Sequence, residues 1–142
     1  EEKNPELAYQ RGRDRAIAGW KRKGKTDKWI ETRIKEIDRR NCHTGVLKEH
    51  GVKEPHDFAR CTNATYRPLL GGSASVVKSK RGLPKSANLR DNLTELENAT
   101  ILLSEILADE KIIREDYSGV VQCADACELA SKNVAQAVKN MG

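Results

Sequence analysis

Residues 94–113 read TELENATILLSEILADEKII, and this stretch decides the fold. Thr94 with Glu97 three residues later is a capping box, in which each side chain serves a backbone N–H that the first turn leaves without a partner. A helix therefore opens here. Leu96, Ile101, Leu103, Ile106 and Leu107, with Ala99 and Thr100, wrap much of its circumference, which predicts a helix at the centre of the core. Glu105, Asp109 and Glu110 are expected to give it an acidic outer side. Ile112 and Ile113 close it before a break at 116–119.

The pattern extends in both directions. After the break, Val120, Ala124, Cys127, Val134 and Val138 recur at four, three, seven and four residues, with Ser131 in the gap, close to a heptad seam of small side chains. The seam has two readings, packing on the chain's own helices or a homodimer contact. At the other end, Asn4-Pro5-Glu6 is a helix start, and a helix should run from Pro5 to about Ala18 before Gly19 and the basic loop of Lys21, Arg22, Lys23, Gly24 and Lys25. Thr26 or Asp27 can cap the next helix, whose apolar stripe is Ile30, Ile34 and Ile37, with Trp29 and Cys42 flanking and Arg33, Lys35, Glu36 and Arg40 elsewhere. Val46 to His50 continues or restarts it up to Gly51, and Pro55 lies in a link.

Thr62 to Leu70 reads as a short capped helix that Pro68 distorts or ends early, and Gly71-Gly72 breaks it. Ser73 can cap a second short helix, Ala74 to Lys80. Two short helices across Gly-Gly form a helix-turn-helix-like pair, the second distinctly basic. No sustained period-two alternation and no Asn-Gly or Asp-Gly turn occurs. The fold class is therefore all-α, a bundle of about six helices.

With 142 residues the chain is expected to form a single domain, 1–142. No stretch approaches the run of about 18 apolar residues that a membrane span needs, and no signal peptide is recognised. Cys42, Cys61, Cys123 and Cys127 are too few and too irregular for a disulfide scaffold, so they read as free thiols of a cytoplasmic protein. Charge divides the chain. Residues 1–90 carry 22 Lys+Arg against 11 Asp+Glu, a balance of +11, and residues 91–142 carry 4 against 10, a balance of −6. A basic half beside an acidic half points to a polyanionic or acidic partner, with a merely dipolar soluble domain as the plain alternative.

Little in the sequence suggests catalysis, and it calls for no cofactor. Leu70-Gly71-Gly72-Ser73 lacks the lysine and spacing of a phosphate-cradling loop. Cys123 and Cys127 share a helix face without further ligands nearby, and His43, His50 and His56 with Cys42 and Cys61 leave zinc a minor reading. Cys42 and His43 are neighbours that a helix points apart, so no nucleophile and base pair up. The carboxylates of the acidic half suggest a metal-dependent nuclease only distantly, since they are expected to lie on a solvated side.

Three stretches resemble the phage and prophage regulators of the damage-inducible protein D and BRO/KilA antirepressor group. The first is Trp29 to Lys35 with Arg39-Arg40 and the run Leu47 to Val52. The second is Thr62 to Gly71, with Arg81-Gly82-Leu83 and, most specifically, Asn88-Leu89-Arg90-Asp91-Asn92-Leu93-Thr94-Glu95-Leu96-Glu97. The third is the alanine-rich helix after Ser118-Gly119. The resemblance spans about Asn4 to Lys139 and corresponds to a C-terminal module or a stand-alone relative. It implies a bacterial or phage-encoded protein that acts on DNA transactions, or on DNA-bound repressors and recombination proteins. The expectation is a non-enzymatic regulator whose Arg22, Lys23, Lys25, Lys78, Lys80, Arg81 and Lys85 contact DNA phosphates. The alternative is a protein-binding module that captures a repressor or recombination protein through the last helix and the acidic half. Arg90 and Asp91 read as a salt bridge or cap rather than as binding residues.

Overall fold

The computed structural model describes residues 5–142. It contains α1 (Pro5–Arg22), α2 (Asp27–Glu49), α3 (Pro55–Leu70), α4 (Ala74–Lys80), a 3-10 turn (Arg90–Asn92), α5 (Glu95–Glu115) and α6 (Val120–Met141). The all-α expectation of about six helices holds. Among the described residues there is no strand, and no helix is long and apolar enough to cross a membrane.

Local chemistry accounts for most boundaries. Thr26 caps α2 by accepting from the Trp29 N–H at 3.0 Å, and Ser73 stands at the same position of α4. Both halves of the Thr94–Glu97 capping box form, at 3.1 and 3.0 Å. Other boundaries move. The Asn4 cap lies outside the described residues. Gly19 does not stop α1, because one glycine costs a helix only about 1 kcal/mol; the helix runs on to Arg22, and the turn comes at Gly24 with φ +82°. Val46 to His50 continues α2 without a restart.

The largest change is in α3, which begins at Pro55 rather than Thr62. Proline suits a first turn whose N–H groups have no intrahelical partner, so Pro55 opens the helix instead of sitting in a link. Pro68 falls in the last turn, where little helix remains to disturb, and Gly71 in the left-handed region ends it at φ +85°. The Asn63 side chain accepts from the Ala74 N–H at 3.0 Å and so joins α3 to the start of α4.

α6 lies along α3 and α5, and α2 lies along α5. One apolar cluster joins Leu47 and Val52 of α2 and its end to Cys61, Ala64, Ala108, Ile112, Cys123 and Cys127. A second joins Tyr66, Val77, Leu89, Leu93 and Ile101 beneath α4. The seam of α6 is internal: Ala124, Cys127 and Val134 are buried, Val120 is half-buried against the first cluster, and only Val138 is exposed. Of the two readings, packing within the chain is the one this geometry displays. α1 rests on α2 through a third cluster, where Trp20 meets Trp29 edge-on at 5.5 Å beside Ile30.

α5 corrects the opening expectation about its own faces. Its buried residues are Asn98, Ile101, Ser104, Glu105, Ala108, Asp109 and Ile112, whereas Leu96, Leu103, Leu107 and Ile113 are exposed. Glu105 and Asp109 face inward, and Glu110 is exposed as expected. The reason lies across the interface, where α2 presents arginines to it.

Candidate nucleic-acid interface

On α2, Arg33, Glu36, Arg40 and His43 step by three, four and three residues and so share one face, turned toward α5 and the 3-10 turn. Arg33 donates through Nε to Asp91 at 3.0 Å, and Arg40 donates to Glu105 at 3.2 Å and to the Thr62 hydroxyl at 2.8 Å. Arg39 donates to Asp109. Arg90, almost fully buried, ties the set together by donating to Glu36, to Glu105 and to the Tyr66 hydroxyl, the last at 2.7 Å. Burial opposes the charge on Arg90, but Tyr66, Glu36 and Glu105 outweigh it and raise its pKa. Burial pushes the Glu36 carboxyl up, and Arg90 and Arg33 restrain that rise. Arg90 and Asp91 are thus structural, the reading favoured from their place beside a helix start.

The same arginines form the wall of a cleft of about 440 Å³. It is bounded by Arg33 and Arg40 of α2, Tyr66 of α3, Lys78 of α4, and Asn88 and Arg90 of the following loop. A second groove of about 660 Å³ lies on the other side of α4, along Asn63, Ser79, Pro84 and Lys85. Ala74 and Lys78 line both. α4 is therefore a ridge with a depression on each flank, and Lys78 stands between them. Lys78 Nζ donates to the Lys85 carbonyl at 3.2 Å, which folds the segment after α4 back along it.

The residues expected to meet phosphate divide into three groups. Lys78, Lys80 and Lys85 gather on and beside α4; Lys80 Nζ reaches the Gly71 carbonyl at 3.5 Å and stays exposed. Arg81 is removed from the set, because Glu97 takes both its terminal nitrogens at 3.1 and 2.5 Å. That bond lowers the Glu97 carboxyl and raises Arg81. Arg22, Lys23 and Lys25 sit at the α1–α2 turn, with Lys25 over the Trp29 ring at 4.6 Å. Arg90 was singled out from the sequence, but the part that Arg33 and Arg40 play in the cleft was missed. Their signal was present in the three-four spacing of charged residues on α2, opposite carboxylates four apart on α5.

None of the cysteines or histidines lines the cleft. His43 Nδ1 meets Asp109 at 2.5 Å, which assigns the ring proton to that nitrogen and leaves Nε2 to face the Cys127 thiol at 3.8 Å. All three residues are buried. His50 reaches the Tyr117 carbonyl at 2.7 Å, and His56 is exposed. Among the described residues no three His, Cys, Asp or Glu side chains gather as a metal ion would require.

A family profile, the DinD C-terminal domain, matches residues 25–142. No curated protein matches the chain.

Proposed function

Since the chain belongs to the DinD C-terminal domain family, we propose that it is a non-enzymatic regulatory module of the DNA-damage response that sets the α4 ridge against nucleic-acid phosphates. The observation that carries this reading is the pair of adjoining grooves sharing Lys78, with Lys85 on one side and Arg33, Arg40 and Arg90 on the other. A polyanion laid over α4 meets Lys78, Lys80 and Lys85 directly, whereas Arg33, Arg40 and Arg90 are already matched by carboxylates and shape the cleft wall. Aromatic residues amount to 4% of the chain, too few for a base-stacking platform, which favours backbone contact. The Asp109–His43–Cys127 line is buried, which closes that one arrangement to a substrate. Four free thiols suit a reducing bacterial cytoplasm.

Mobility shifts on duplex and single-stranded DNA test the proposal. Three neutralised phosphates give a log–log salt slope of about −2.7, so affinity falls about 40-fold between roughly 50 and 200 mM salt. Lys78→Glu with Lys85→Glu abolishes the shift, and Arg81→Ala leaves it nearly intact. Absence of any shift at the lowest salt overturns the reading in favour of antirepressor-like capture of a repressor or recombination protein.

A further inference from the structure

The ridge reading leaves a second basic cluster without a role. Arg22 and Lys23 are exposed at the α1–α2 turn, and Lys25 is laid over the Trp29 ring at 4.6 Å. Among the described residues none of the three has a carboxylate partner. The fold carries this turn to the end of the bundle that α4 also reaches. Lys28, just beyond the turn, pairs with Glu95 at 3.6 Å, and Arg81, the residue that ends α4, pairs with Glu97. Both carboxylates belong to the first turn of α5, and a step of two residues, about 200° of rotation, sets them on nearly opposite sides of it. The two basic clusters therefore flank the start of α5, with at least a helix diameter, about 10–12 Å, between them.

The surface between them is segment 86–94, and it sets no free acid in the way of a polyanion. Its exposed Ser86, Asn88, Asn92 and Thr94 are uncharged, and its one acid, Asp91, is held by Arg33 at 3.0 Å. Trp29 Nε1 donates to the Leu93 carbonyl at 3.0 Å and so fixes this segment against α2. Hydroxyl and amide groups of this kind contact phosphate and sugar without reading sequence. The exposed acid nearest the turn, Asp27, stands between Lys25 and Lys28 in the chain. Stiffness selects the form of the partner. A duplex keeps its direction over about 500 Å, so a segment held at α4 is carried on to the turn, whereas a single strand has to be ordered along the way. We infer that duplex DNA bound at α4 continues over 86–94 to the α1–α2 turn, where Arg22 and Lys23 neutralise two further phosphates. This rests on the ridge reading and extends its footprint.

Salt titrations of the mobility shift, on a duplex and on the corresponding single strand, test this with the full chain. Three phosphates at the ridge and two at the turn give a duplex slope of about −4.5, a fall of about 500-fold between roughly 50 and 200 mM salt. Arg22→Gln with Lys23→Gln is expected to return the slope to about −2.7, the value for the ridge alone. Lys48→Gln with Lys53→Gln removes the same charge from exposed sites at the opposite end of α2, about 30 Å away, and is expected to leave the slope unchanged. All four side chains are exposed, so the thermal melts of both variants should match the wild type. A wild-type duplex slope of about −2.7 that neither pair moves overturns the inference and leaves the ridge reading standing. Equal losses from the two pairs also overturn it, because overall charge would then be the cause. So does a turn substitution that flattens the single-strand slope and not the duplex slope. Absence of any shift at the lowest salt removes the ridge and the turn together.

Discussion

Arg90 shows how much a single side chain carries here. It is one of few cations among the buried residues, and two of its partners, Glu36 and Glu105, are almost wholly enclosed. Each of those carboxylates also has one oxygen with no hydrogen-bond partner, and besides Arg90 each has one further cation, Arg33 for Glu36 at 3.6 Å and Arg40 for Glu105 at 3.2 Å. Removing the guanidinium takes away the one cation that the two buried carboxylates share. Arg90→Leu should therefore cost about 3–5 kcal/mol, the range for breaking a buried ion pair from one side. Tyr66→Phe, which deletes one hydrogen bond to the same guanidinium, should cost only about 1–2 kcal/mol. Urea unfolding midpoints check both, and equal losses for the two variants would refute the central place given to the charge.

At the scale of elements, legibility follows how local the cause is. The caps at Thr26, Ser73 and Thr94 were readable because one side chain and a backbone group three residues away decide them. The start of α3 was not, because Pro55 suits a link as well as a first turn and only packing against α6 settles which. The buried face of α5 was misread for a related reason. Hydrophobic periodicity locates the apolar stripe, but it does not register that α2 supplies arginines able to hold Glu105 and Asp109 inside. The lysines of α4 could be found from composition alone, whereas the cleft arginines required both partners. α1 is the element least tied to the rest. It lies outside the matched family region, and it is held by Trp20 on Trp29 and by Asp38, which accepts from Tyr9 at 2.7 Å and from Arg13. Trp20→Ala should remove about 3–5 kcal/mol from that contact alone. Amide exchange is then expected to accelerate across 5–22 while α3 and α6 keep their protection; equal acceleration throughout would show α1 to be integral to the core.

Over the whole molecule, the two charged halves close on one another. Six cations of residues 1–90, namely Lys28, Arg33, Arg39, Arg40, Arg81 and Arg90, reach carboxylates of residues 91–142. The steep imbalance written in the sequence is therefore largely cancelled along the α2–α5 seam, and net positive charge is left at α4 and at the α1–α2 turn. These two populations respond differently to salt. Screening at about 0.15 M acts over roughly 8 Å of solvent and weakens exposed charges, while buried pairs are screened far less. Raising sodium chloride toward about 1 M should thus move the unfolding temperature by less than about 4 °C, the shift that one kcal/mol produces in a domain near this size. Over the lower part of the same range DNA binding should collapse. Parallel thermal melts and mobility shifts separate the two responses. A melting temperature that falls together with binding would mean that exposed charge pairs hold the fold, and that the arginines of the cleft are not the internal framework described above.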